Sequence, residues 1–137
     1  MLVDLFYLTL RKGLVSAVLV FALVGCVGEE GIPRYNIRGT VTFKGAPVPA
    51  GTVRFRPESK SGRDAPSGYA LIQQGQYDTA LTKRGTIGGQ QIVEIRGFDG
   101  NTAPEMPMGS PLFDGYQTQV DLPTNSTEMD FEVGKTQ

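Results

Sequence analysis

The sequence predicts an all-β domain, a seven-stranded antiparallel Greek-key sandwich, and three observations carry that prediction. Apolar residues recur at period two in segment after segment from Tyr35 onward, the pattern of strands with one buried face. Gly (18) and Pro (9) together make about a fifth of the 137 residues, against about 12% in average usage, and they fall between those segments as turn formers. After Cys26 no stretch keeps helical spacing over three turns.

The first predicted strand, residues 35–44, sets Tyr35, Ile37, Val41 and Phe43 on one face and Asn36, Arg38, Thr40, Thr42 and Lys44 on the other. A Gly- and Pro-bearing turn, 44–51, leads to a second strand, 52–57, with Val53 and Phe55 inward. Residues 58–67 are polar and rich in Ser and Gly, and read as a surface loop. Strands then follow at 68–73 and 76–81, joined by Gln74-Gly75, with a loop at 82–89. The β-branched run 91–96 points Val93 and Ile95 inward, and 116–122 alternates Tyr116, Thr118, Val120 and Leu122 against Gln117, Gln119 and Asp121. The last strand, 127–133, turns Met129, Phe131 and Val133 inward. Its outward residues Glu128, Asp130 and Glu132 complement Arg38, Lys44, Arg54 and Arg56 on the first two strands, so the last strand is predicted to lie beside one of them.

The N-terminal region has another character. Arg11 and Lys12 precede an uncharged apolar run, residues 13–23. A membrane-spanning helix needs about 20 such residues. Eleven suit the apolar helix of a cleaved export signal. The run ends in Leu23-Val24-Gly25-Cys26, which resembles the lipobox of bacterial lipoproteins. The resemblance implies transfer of a diacylglycerol to the Cys26 sulfur and cleavage after Gly25. Each buried methylene of such an anchor contributes about 0.8 kcal/mol, and two or three chains hold firmly where one holds only reversibly.

On that reading residues 1–25 are a signal peptide, 26–34 a tether and 35–134 the domain. The 112 residues left after cleavage carry a net charge of −2. The position after Cys26 is Val27 rather than the Asp that retains lipoproteins in the inner membrane of enteric bacteria. The expected location is therefore the cell envelope, anchored at the outer membrane and facing the periplasm or the surface.

The domain itself also carries a resemblance. The run Ile37-Arg38-Gly39-Thr40-Val41-Thr42-Phe43-Lys44-Gly45-Ala46-Pro47-Val48, followed by Gly51-Thr52-Val53-Arg54-Phe55, looks like the opening hairpin of carboxypeptidase regulatory-like domains. Gly75-Gln76-Tyr77 and Gly88-Gly89-Gln90-Gln91-Ile92-Val93-Glu94-Ile95 fit later parts of that pattern, with Gln where an aromatic is usual. The resemblance spans residues 35–97 and implies a transthyretin-like sandwich. It is specific for shape and nearly silent on chemistry.

Composition narrows the function. There is no histidine, which removes Ser-His-Asp and Cys-His catalysis and imidazole metal sites. The single cysteine leaves no intrachain disulfide. Thirteen basic and 14 acidic residues give no overall field to gather nucleic acid or an anionic membrane. No catalytic residue, metal ligand or cofactor is therefore assigned, and a monomeric, non-enzymatic module is expected.

Asp99-Gly100-Asn101 lacks the spaced carboxylates of a calcium loop and reads as a Gly-rich turn. Lys83-Arg84 reads as a solvated loop tip rather than an anion site. The candidate contact region is the long segment 97–115, with Phe98, Met106, Met108 and Phe113 among three prolines. Loops of that length are uncommon in compact domains. These side chains either meet an envelope protein or glycan, or close the edge of the core, and the second reading is favoured. Two functions follow: a lipid-anchored binding or structural module, or a solute-binding or accessory lipoprotein of a secreted enzyme or transporter.

Overall fold

The computed structural model describes residues 31–58 and 65–134. The expected signal peptide, the lipobox residues Leu23, Val24, Gly25 and Cys26, and most of the tether lie outside the described residues. Among the described residues there is no helix. Nine strands form: β1 (Ile37–Phe43), β2 (Ala46–Pro47), β3 (Ala50–Pro57), β4 (Gly68–Gln73), β5 (Gln76–Asp78), β6 (Gly89–Phe98), β7 (Tyr116–Leu122), β8 (Thr127–Glu128) and β9 (Phe131–Val133).

They hydrogen-bond in the order β2-β1-β5-β4-β3-β6-β7, with β8 and β9 also on β1. The predicted inward residues occupy the core: Ile37, Val41, Val53, Phe55, Val93, Ile95, Leu122, Phe131 and Val133 are all buried. Phe55 lies 6.3 Å from the Phe131 ring, and both lie about 6 Å from Tyr77. Four strand pairings separate β3 from β9 along the sheet. That contact therefore requires the sheet to curl over and close on its own apolar face.

Three features depart from the predicted pattern. Pairing is antiparallel throughout the path β2 to β7, but β8 and β9 run parallel to β1. The direction is dictated by where β7 ends. Leu122 pairs with Gly89, and after the short turn 123–126 Ser126 Oγ receives the Asn36 N–H at 3.1 Å. The chain thus meets β1 at the start of that strand and has to run alongside it. Second, strand 76–81 stops at Asp78, whose carboxylate accepts the Ala80 N–H at 2.8 Å and turns the chain. Third, Val48, placed in a turn by the sequence, is fully buried, its N–H bonded to the Val41 carbonyl at 3.0 Å.

The last predicted strand is also split. Met129 and Asp130 leave the ladder, and a side-chain network spans the break. Asp130 Oδ1 accepts the Thr40 N–H at 2.7 Å and the Thr40 hydroxyl at 2.8 Å, taking the place of a main-chain carbonyl. The Met129 carbonyl is met instead by the Tyr77 hydroxyl at 2.6 Å. Burial raises the Tyr77 phenol far above its ordinary pKa of 10.0, and the Asp130 charge adds to it, so it stays a donor. Gly39 makes the approach possible, since a Cβ there would overlap the Met129 carbonyl.

As predicted, the last strands lie beside the first. Arg38 Nη2 stands 2.7 Å from Glu128 Oε1. The pair is exposed and contributes about 0–1 kcal/mol, so it reports register more than it sets stability.

Strand directions define two ends of this body. Residues 31–36, the turn 79–88 and the turn 123–126 gather where β1 begins. The turn 44–49, Gln74-Gly75 and the segment 99–115 gather where β1 ends.

Candidate functional site

Segment 97–115 is built around Asp99. Its Oδ1 accepts the N–H of Asn101 at 2.9 Å and of Ser110 at 3.0 Å, closing the segment's base. These donors, Asn101 first, hold the Asp99 carboxyl below its ordinary pKa of 3.8. Main-chain bonds Asp99 N to Ser110 O and Gly100 N to Met108 O, both 3.0 Å, complete the lock. The carboxylate oxygen is occupied by backbone donors, which fits the Gly-rich turn reading. Among the described residues, no three of His, Cys, Asp and Glu gather closely enough to hold a metal ion.

The four side chains singled out in the sequence part company. Phe113 turns inward and packs on Phe43 with ring centroids 5.1 Å apart. It lies against Gly97, where an added Cβ would sit 2.6 Å from the ring. Leu112 joins it against the core. Phe98 is half-buried and pairs with Pro111. Phe98 and Phe113 line one open hollow of about 340 Å³. Met108 is half-buried, and Met106 stands 46% exposed at the tip. Phe113 therefore closes the core, and Met106 is the side chain of the four most open to a partner.

A second concavity was not legible in the sequence. The outward residues of β1, β4 and β5 enclose a hollow of about 630 Å³ with Thr40, Leu71, Gln73, Gln76, Asp78 and Leu81 on its walls. Arg38, Glu128 and Asp130 line it as well, so its chemistry is that of amides, hydroxyls, carboxylates and one guanidinium around two exposed leucines, suited to a polar ligand held by several hydrogen bonds. Alternation in the sequence marks Thr40 as outward but would turn Leu81 inward with Tyr77; the strand ends at Asp78 instead and leaves Leu81 exposed. The hollow appears only once β4 and β1 are brought to either side of the short strand β5, a non-local pairing with no local signal.

Farther along the sheet, β3, β6 and β7 carry a row of outward polar residues. Glu94 binds Arg56 at 3.0 Å and accepts from Gln117 Nε2 at 3.2 Å. The Lys83-Arg84 tip is exposed, as expected.

No family model matches this chain, and neither a curated protein nor a solved structure matches it.

Proposed function

We propose that this chain is a lipid-anchored module of a bacterial cell envelope that binds or braces and performs no chemistry of its own. The observation that carries the reading is Leu23-Val24-Gly25-Cys26 closing a cationic, 11-residue apolar leader. The β body follows within a few residues, so the tether holds it close to the lipid. The finer architecture that fits the reading is a transthyretin-like Greek-key sandwich of the carboxypeptidase regulatory-like kind. The curl of the antiparallel sheet over its own apolar face supports it, while the parallel run of β8 and β9 beside β1 departs from the antiparallel pairing of a Greek key. The outer membrane is the proposed location, Val27 standing where a retaining Asp would be.

Metabolic labelling with a palmitate analogue tests the anchor. Wild type takes up label and partitions with membranes, and Cys26→Ala does neither. Equal labelling of both removes the proposal.

A second reading, a solute-binding or accessory lipoprotein, is favoured by the hollow of about 630 Å³, a volume usual for small-molecule sites. Leu71→Arg would fill that hollow. Envelope pull-downs insensitive to this change support the bracing module, and loss of a bound small molecule supports the second reading.

A further inference from the structure

The overall charge of the chain is almost balanced, yet the fold distributes its charged turn residues unequally between the two ends. At the end where β1 begins, the described turns carry Arg34, Lys83 and Arg84 against Glu58, and Asp78, Asp121 and the Arg38-paired Glu128 stand at the strand ends beside them. At the other end the turns carry Lys44 against Asp99, Glu105 and Asp114. The three basic residues are brought together by specific contacts. Tyr35 and Thr86 exchange main-chain bonds at 2.7 and 2.8 Å, and Arg34 Nη1 reaches the Gly85 carbonyl at 3.4 Å. This seats the incoming chain against the 79–88 turn. The turn itself is fixed by Arg84 N to Thr79 O at 3.1 Å and Tyr69 N to Arg84 O at 2.9 Å. Thr82 bonds to the Tyr69 carbonyl as well.

Two large apolar side chains stand open on the same end, Leu81 at 83% exposure and Ile32 at 61%. Arg34, Lys83 and Arg84 are exposed beside them, with no ion pair among the described residues.

We propose that this end is a docking surface for an anionic lipid bilayer: Arg34, Lys83 and Arg84 meet headgroup phosphates, and Leu81 and Ile32 enter the interface. The proposal rests on the anchored reading above for its geometry. From Cys26 to Arg34 the chain spans at most about 3.5 Å per residue, so an acylated Cys26 attaches the body to the bilayer at this end. Tethering alone leaves the body free to tumble. Cationic side chains over an anionic surface, with apolar ones at the acyl boundary, hold it upright. Each basic residue close to an anionic surface strengthens docking roughly fivefold, so three give ~100-fold. The effect falls away as salt shortens the Debye length from about 10 Å at 0.1 M to about 3 Å at 1 M. An upright body presents the 97–115 segment, with exposed Met106, away from the lipid.

The test uses the full processed protein in vesicles containing brominated lipids. Acylation blocks the sulfur of Cys26, so a fluorophore can be placed on Ala80→Cys, beside the basic end, or on Asn101→Cys, at the other. The expected result in vesicles of mixed phosphatidylcholine and phosphatidylglycerol is several-fold stronger quenching at position 80 than at 101. The difference disappears in pure phosphatidylcholine, in 1 M salt and in the Arg34→Gln, Lys83→Gln, Arg84→Gln triple variant. Equal quenching at both positions, or quenching indifferent to phosphatidylglycerol, overturns the proposal. Intact mass reports acylation at Cys26 separately and so isolates failure of the anchor. With an unacylated processed chain, sedimentation with phosphatidylglycerol vesicles that the triple variant loses sustains the docking surface, and absence of sedimentation removes it.

Discussion

The two ends of this body are closed by different physics. Where β1 begins, hydrogen bonds do the closing: the Tyr35–Thr86 main-chain pair, Thr79 Oγ1 accepting the Ile37 N–H at 2.9 Å, and Gln91 Nε2 on the Gly88 carbonyl at 2.8 Å. Its interior is correspondingly polar, with Thr79, Thr86 and Gln91 fully buried. Where β1 ends, rings do the closing: Phe113 on Phe43, with Lys44 Nζ 5.1 Å from the Phe43 centroid. One carboxylate, Asp99, then pins the long connection. The contrast teaches that a small sheet can cap itself either by directional bonds, which fix a short turn, or by apolar burial, which tolerates a 17-residue excursion between β6 and β7. The polar end also gathers the basic turn residues Arg34, Lys83 and Arg84, and the turns of the apolar end are mostly acidic.

The largest perturbation should erase the contrast by striking what both ends share. Gly39→Ala drives a methyl group into the Met129 carbonyl, separating the last strands from the first along their whole length. A loss of about 3 kcal/mol is expected, read as a lower urea midpoint, with both ends opening in one transition. A smaller effect should sharpen the contrast. Phe113→Ala, at a half-buried position, should cost about 2 kcal/mol and act locally. Amide exchange should quicken at Leu112 and Asp99, while Tyr35 and Thr86 keep their protection. Equal acceleration at all four would show that the ends are not separate.

The smallest effect concerns acid. The folded pKa of Asp99 is depressed, so the stability it supplies is complete above the ordinary value of 3.8 and is lost as pH falls through its lower folded value. Acid should therefore loosen the ring-closed end first. The Asn101 and Ser110 amide resonances should report the titration, and Asp99→Asn should abolish it.

Much of this architecture could be read from the sequence because strand alternation is a local signal. The strand at 68–73 has the predicted bounds, and Val53, Phe55, Val93 and Ile95 point as predicted. The neighbour of the last strand was legible too, through the complementary charges of Arg38 and Glu128. Its direction was not, because that depends on the end at which β7 stops. The split at Met129 and Asp130 escaped prediction because Asp130 alternates like any outward strand residue, and only its hydrogen bond to Thr40 shows it replacing the backbone.

The four residues of the candidate contact segment were chosen by composition, which does not distinguish Phe113, folded over Gly97, from Met106, left open. The basic end was hidden for a related reason. Arg34 lies some fifty positions from Lys83 and Arg84 in sequence, and the Tyr35–Thr86 bridge and the Arg34–Gly85 hydrogen bond join them.

The parallel arrangement of β1 and β9 has a mechanical consequence. The chain comes in at one end of the body and finishes its last strand at the other, and the two strands concerned are immediate neighbours. A pull between the start of β1 and the end of β9 loads their shared ladder in shear. The Val41–Phe131 to Phe43–Val133 rungs, with the Asp130 clasp beside them, resist together instead of unzipping in turn. A body secured at its root and tugged at its crown would thus meet force along its stiffest direction.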